Sequence, residues 1–106
     1  MKATDRRQEL WKAVLSLRNA YEADRFFGDL LTAEEIEDFA KRWQVARMLD
    51  SGASYVDIRK ATDLSTRTIA RISSWLKEGL GGYRLMLARL GDHHHALSAH
   101  SRRVLS

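Results

Sequence analysis

The 106-residue chain has 18 Lys and Arg against 14 Asp and Glu, a net charge of +4, with no cysteine and no proline. The missing cysteines exclude a disulfide framework and a thiolate metal site, and no apolar run approaches the length of a bilayer span. We therefore expect a small cytoplasmic domain without membrane attachment, whose basic surface suits a polyanionic partner.

The first part of the chain has the apolar periodicity of helices, with spacings of three and four residues. The first predicted helix has apolar side chains on two sides, which suggests one face for its own domain and another for a partner. These residues are Leu10, Trp11, Val14, Leu15, Leu17 and Tyr21. A short apolar segment with Phe26, Phe27, Leu30 and Leu31 follows.

A long third helix is predicted to begin after Thr32. Thr32 and Glu35 have the spacing of a capping box, which satisfies free amides at a helix N-terminus. We expect the helix to reach about Asp50 and to end at Gly52. Its predicted inner face consists of Ile36, Phe39, Ala40, Trp43, Ala46 and Leu49.

Residues 54–77 contain two short helical patterns separated by a tight turn. Ser54 and Ser65 are the predicted N-caps, and Asp63 in the turn must accept a left-handed backbone. Neither helix is long enough to be stable alone, so each must pack against the other and against the long helix. The expected inner residues are Val56, Ile58 and Ala61, then Ile69, Ile72 and Leu76. This pattern predicts a helix-turn-helix, whose second helix faces the DNA major groove.

The predicted recognition helix, residues 65–77, combines small hydroxyls with two arginines on its outer face. Such side chains can donate hydrogen bonds to phosphates and to base edges. The predicted outward positions are Thr66, Arg67, Thr68, Ala70, Arg71, Ser73 and Ser74. Arg67 and Arg71 are the leading candidates for DNA contact, supported by Thr66, Thr68 and Ser74. Arg59 and Lys60 of the preceding helix are candidates for phosphate contact.

Acidic and basic residues are segregated along the chain. Residues 22–38 contain seven acids and one arginine, whereas residues 39–90 contain ten basic residues and four acids. The basic half is the half that contains the helix pair. This distribution favours nucleic acid as its partner.

The C-terminal region is predicted to hold one more helix and a tail. Tyr83 follows a glycine-rich connection, and Met86, Leu87 and Leu90 are expected to close the core or a dimer. We expect the domain to span residues 1–91 and residues 92–106 to be disordered. The tail histidines could ligate a metal, but on a disordered tail we expect no specific site; they are His93, His94, His95 and His100. Arg102 and Arg103 would add nonspecific attraction to DNA.

A long stretch of the chain resembles the Trp repressor superfamily, and within it the YerC/YecD type. The stretch reads TAEEIEDFAKRWQVARMLDSGASYVDIRKATDLSTRTIARISSWLKEGLGGYRLMLARL, and the resemblance spans roughly residues 8–90. Its most specific parts are VARML, STRTIAR and GGY. The resemblance implies an all-α, six-helix, intertwined homodimer. It also implies a transcriptional regulator, with repression as the expected effect, that binds a palindromic operator in double-stranded DNA.

The resemblance also implies a possible small-ligand pocket. The residues that hold the corepressor in the Trp repressor align with Arg42, Arg71, Thr32 and Thr68. However, Ile72 and Trp75 stand where that repressor has glycine and a small serine, and they would fill the space of an indole ring. We therefore expect no tryptophan-like corepressor, with Arg42 paired to an acid and Arg71 on phosphate.

Two other classes of function remain as alternatives. A helix-turn-helix can also dock on a protein partner of the transcription or replication machinery. An enzyme is not expected, because the chain has no glycine-rich phosphate loop after a strand, no HExxH and no cysteine nucleophile.

Overall fold

The computed structural model describes residues 2–91, which form six α-helices and contain no β-strand. The helices are α1 (Ala3–Leu15), α2 (Ala20–Leu30), α3 (Ala33–Asp50), α4 (Tyr55–Thr62), α5 (Thr66–Glu78) and α6 (Gly82–Met86), and a π-helical turn follows at Leu87–Gly91. The all-α, six-helix prediction is confirmed. Among these helices, none has the length and apolar character needed to cross a membrane. The predicted tail, with its histidines and Arg102 and Arg103, lies outside the described residues.

The chain divides into two compact units, one reaching to Asp38 and the other beginning at Phe39. In the first unit, neither α1 nor α2 contains a buried residue. Trp11 is 47% exposed, Leu15 84% and Tyr21 69%. Part of the apolar surface predicted for the first helix is therefore exposed in the single chain.

The boundary between α1 and α2 corrects the prediction for the first helix, because Leu17 lies between the two helices and Tyr21 lies in α2. The Asn19 side chain accepts a hydrogen bond from the Glu22 amide at 2.9 Å, and Glu22 Oε1 accepts one from the Arg18 amide at 2.9 Å. These two bonds satisfy amides at the start of a new helix. The spacing of Asn19 and Glu22 was the sequence signal for this start.

Both ends of α3 are as predicted. The Thr32 amide donates to Glu35 Oε1 at 2.9 Å, and the Glu35 amide donates to Thr32 Oγ1 at 3.1 Å, which completes the capping box. At the other end Gly52 has φ +86, a left-handed conformation that glycine adopts without a steric penalty. The helix therefore stops where its glycine permits the chain to turn.

The core of the second unit consists of Val45, Ala46, Ile58, Ile69 and Ile72, all 0% exposed. The inner face predicted for α3 is thus partly wrong, because Val45 is buried whereas Phe39 is 52% exposed and Ala40 is exposed too. The core packs against the second half of α3, where Trp43 and Leu49 also contribute.

The buried face of α4 also differs from the prediction. Val56 is 61% exposed and Ala61 is exposed, whereas Ile58 and Thr62 are buried. Ile58 and Thr62 are four residues apart and therefore share a face of the helix. The Thr62 hydroxyl donates to the Ile58 carbonyl oxygen at 2.7 Å, so this polar group is buried with its hydrogen bond made.

The segment after α5 supplies Tyr83 and Leu87 to the second unit. The Tyr83 ring stacks on Trp43, with ring centroids 6.4 Å apart, and Leu87 is buried. Met86 and Leu90, predicted to close the core or a dimer, are exposed in the single chain, so they do not join this core. Burial raises the pKa of Tyr83 above its usual 10.0, and the positive charge of Arg42 opposes this shift without cancelling it. The folded protein therefore holds the phenol proton more tightly than the unfolded chain does. The stability that this difference contributes is present below about pH 10 and is lost as the pH rises above about 10.

Arg84 binds the C-terminal end of α5. Its Nε donates to the Leu76 carbonyl oxygen at 2.8 Å, and its Nη2 donates to the Lys77 carbonyl oxygen at 2.9 Å. These are carbonyls of the last turn, which have no partner within the helix.

We expect Arg84→Ala to lower the free energy of unfolding by about 1 kcal/mol, because two exposed hydrogen bonds to α5 are lost. Urea denaturation followed by circular dichroism measures this change. Arg89→Ala removes the same charge from an exposed position nearby and serves as the control. Equal unfolding midpoints for the two variants would contradict the assigned role of Arg84.

Candidate nucleic-acid interface

Helices α4 and α5 form the predicted helix-turn-helix, with boundaries within one residue of those expected. Ser54 accepts a hydrogen bond from the Asp57 amide at 3.1 Å, and Ser65 accepts one from the Thr68 amide at 3.1 Å. Between the helices, Asp63 has φ 60 and ψ 20, the left-handed conformation that was predicted. The two predicted caps and the turn are therefore confirmed.

Asp63 is the only non-glycine residue of the described chain with a positive φ. Substitutions at this position therefore test whether the turn requires a left-handed backbone. We expect Asp63→Val to lower the free energy of unfolding by about 1–2 kcal/mol, because a β-branched side chain is strained in this conformation. Asp63→Asn tolerates the same backbone and should leave stability close to that of the parent. Urea denaturation of both variants checks the expectation, which fails if they unfold alike.

The outer face of α5 carries most of the residues predicted for DNA contact. Arg67 and Arg71 are exposed, as are the small residues around them: Thr66, Ala70 and Ser74. Ser73 was predicted to point outward but is only 9% exposed. It lies four residues after Ile69 and so falls on the buried face that Ile69 and Ile72 define.

The two predicted arginines have different surroundings. The Arg71 guanidinium lies over the Trp75 ring, 5.3 Å from its centroid. Arg67 has no hydrogen-bond, ion-pair or aromatic partner among residues 2–91. The Arg71 and Trp75 contact was not predicted, although their spacing of four residues on a helix was the signal for it.

The hydroxyl of Thr68 is close to the helix N-cap. Its Oγ1 lies 3.0 Å from Ser65 Oγ, and Thr68 is half-buried. Thr68 lies in the first turn of α5, beside the Ser65 cap, and therefore has a structural role at the start of the helix. Any contact of Thr68 with DNA would occur at this end of α5.

Arg59 and Lys60 lie in the last turn of α4, and both are exposed. Basic side chains at this end of a helix interact favourably with its dipole, so they have a structural role besides any contact with phosphate. In α5 the one acidic residue is Glu78, at its last position. The two helices therefore present a positive outer surface.

The four residues of the possible ligand pocket have these surroundings. Thr32 belongs to the capping box of α3, Thr68 adjoins Ser65, and Arg71 lies over Trp75. Arg42 is exposed, and the acidic partner predicted for it is not found among residues 2–91. Ile72 lies in the core. These positions do not test whether the protein binds a tryptophan-like corepressor, so the expectation that it binds none stays a prediction.

Two short capped helices joined by a left-handed turn place the chain in the helix-turn-helix class. Its sequence matches the Trp repressor protein family over residues 5–91, and the chain belongs to that family. It is 42% identical, over 84 residues, to the uncharacterised protein YerC of Bacillus subtilis. That similarity covers 79% of this chain and 81% of YerC.

Two solved structures have a similar fold. A TrpR-like protein from Eubacterium eligens superposes with a TM-score of 0.77 at 40% identity, over 79% of this chain and 87% of that one. A candidate Trp repressor from Staphylococcus aureus gives a TM-score of 0.75 at 38% identity, over 79% and 84% of the respective chains. These similarities confirm the family that the sequence resembles.

Proposed function

We propose that this protein is a transcriptional regulator that binds a palindromic operator in double-stranded DNA as a homodimer. The observation that carries the proposal is the outer face of α5, where Arg67 and Arg71 are exposed among small side chains. The opposite face is held in the core by Ile69 and Ile72. A helix fixed in this way can enter the major groove without losing its own packing.

The charge of the helix pair supports DNA as the partner. Arg59, Lys60, Arg67 and Arg71 all lie exposed on α4 and α5. Arginine can form two parallel hydrogen bonds to guanine, and lysine or arginine can neutralise phosphates. We infer that Arg67 and Arg71 contribute base contacts and that Arg59 and Lys60 contribute phosphate contacts. The chain would act in the cytoplasm, and the proposal assigns it no catalytic step.

The proposal of a homodimer rests on the exposed apolar side chains of the first unit. Helices α1 and α2 contain no buried residue, yet Trp11, Leu15 and Leu30 are large apolar side chains that stay exposed in the single chain. A second copy of the chain would remove this apolar surface from water. In such a dimer, two recognition helices roughly 34–36 Å apart would match successive major grooves on one side of the DNA.

The dimer is tested by sedimentation velocity at micromolar concentration. We expect the parent protein to sediment as a dimer and Leu15→Glu to shift it toward monomer. Gln8→Glu makes the same charge change at an exposed polar position of α1 and serves as the control. A monomeric parent protein would contradict the proposed assembly.

DNA binding is tested by selection from a pool of random duplexes, followed by fluorescence-anisotropy titration across salt concentrations. We expect a palindromic motif whose affinity falls steeply as salt rises, because phosphate contacts release counterions. The absence of binding even at low salt would contradict the proposal. A selected motif without two-fold symmetry would contradict the palindromic operator and leave the DNA-binding role in place.

Docking on a protein partner is the second candidate. The observation that favours it is an apolar pair at the start of α4, where Tyr55 is 38% exposed and Val56 61%. An interface centred on this pair would need no contact with DNA. Val56→Lys would then abolish partner binding, whereas the DNA-binding proposal expects the same substitution to leave operator affinity intact or slightly raised.

A further inference from the structure

We propose that Trp75 is a positioning residue that holds the guanidinium of Arg71 for contact with DNA, an inference that rests on the proposed function. The central carbon of the guanidinium lies 5.3 Å from the centroid of the Trp75 ring. The two residues are one helical turn apart on α5, and both are exposed. The contact is therefore a feature of the outer surface of the helix.

The core does not account for Trp75. The core cluster draws Ile69 and Ile72 from α5, with Tyr83 and residues of α3 and α4 packed around them, and Trp75 is not among its members. The Trp75 side chain is 42% exposed. Trp75 therefore lies partly on the surface, and its contact with Arg71 is the aromatic interaction that it makes among residues 2–91.

A cation–π contact with an indole ring suits an arginine that must still bind a ligand. The guanidinium is planar, and its N–H groups point outward within that plane. An aromatic ring against one face therefore leaves these donors available for a base edge or a phosphate. The ring also restricts a side chain that is otherwise free to sample many rotamers, so less freedom is lost when DNA binds.

Arg67 provides a comparison within the same helix. It lies one turn before Arg71 and is also exposed, but it has no aromatic partner among the described residues. The two arginines therefore differ in how they are held before DNA arrives. If Trp75 acts by holding Arg71, its removal should matter for Arg71 and not for Arg67.

The test is a set of double-mutant cycles measured by anisotropy on the selected operator. Trp75→Leu retains an apolar side chain but lacks an aromatic face, whereas Trp75→Phe retains a ring. We expect Trp75→Leu to weaken binding roughly two- to fivefold, the range for an exposed cation–π contact, and Trp75→Phe to weaken it less. In an Arg71→Ala background Trp75→Leu should have no further effect, but in an Arg67→Ala background the full loss should remain.

Several outcomes overturn the inference. If Trp75→Leu binds like the parent, Arg71 needs no support from the ring. If it causes the same loss with and without Arg71, Trp75 acts independently, by touching DNA itself or by supporting the fold. Failure of the parent protein to bind any duplex removes the proposed function, and the inference falls with it. Trp75→Gln also lacks an aromatic ring and is compatible with an exposed helix position. Repeating the cycle with this variant ensures that the test does not depend on whether the Trp75→Leu protein folds.

Discussion

Replacing Arg67 and Arg71 together by alanine is expected to lower affinity for the selected operator on the order of 100-fold or more, since each bidentate contact to guanine contributes roughly 1–3 kcal/mol of discrimination. Both side chains are exposed on α5, so their loss leaves the core unchanged. Anisotropy titration measures the affinity, and circular dichroism verifies that the variant is folded.

The matched control is Lys77→Ala with Arg89→Ala. This variant removes the same two positive charges from exposed positions outside the first two turns of α5. It is expected to weaken binding only through the general electrostatic attraction, with a modest loss that higher salt removes. An equal loss for the two double variants would reject readout by the outer face of α5 and leave only nonspecific attraction.

Shortening Ile72 to alanine is expected to lower the free energy of unfolding by about 2–5 kcal/mol, because it removes buried methylene groups and leaves a cavity. Ile72 is 0% exposed and belongs to a cluster of five such residues. In a small domain whose total stability is about 5–15 kcal/mol, this loss is a large fraction. Urea denaturation at several protein concentrations measures it and separates folding from association.

Two further variants calibrate that result. Ile72→Val removes one methylene group and should cost only about 0.5–1.5 kcal/mol. Val56→Ala shortens a side chain that is 61% exposed, and surface changes of this kind usually lie within about 0.5 kcal/mol of the parent. If Ile72→Ala were no more destabilising than Val56→Ala, α5 would not be anchored by its apolar face.

The features that could be predicted from the sequence are those fixed by local bonds. The caps at Thr32, Ser54 and Ser65 form within three residues, and the conformation of Asp63 is set by the turn that it occupies. These interactions need no information about distant parts of the chain. The helix-turn-helix boundaries followed from them with an error of one residue.

The buried faces were harder to predict because they depend on which helix lies against which. For α4, Ile58 was predicted correctly, but Val56 and Ala61 were chosen in place of Thr62, whose buried hydroxyl has the Ile58 carbonyl as its acceptor. For α5, Ser73 was assigned to the outer surface because a polar side chain is usually exposed, although it shares a face with Ile69. A prediction from polarity alone is therefore wrong where the position of a residue on the helix places its side chain on the buried face.

The exposed face of α5 was predicted in outline and missed in detail. Arg67 and Arg71 were identified because they lie opposite the apolar stripe of α5, which is a periodic signal. The contact of Arg71 with Trp75 was not predicted, although a spacing of four residues places the two side chains one turn apart on α5. Whether the candidate residues bind DNA stays a prediction, which the variants above test.

The bonds from Arg84 to the end of α5 set an order for synthesis of the chain. The carbonyls of Leu76 and Lys77 receive their donors only after a residue seven or eight positions later has been added. While the chain is still growing, the last turn of α5 must therefore rely on water for these bonds. A protein truncated before Arg84 would keep the whole helix-turn-helix in its sequence, but the C-terminal end of α5 would lack these two donors.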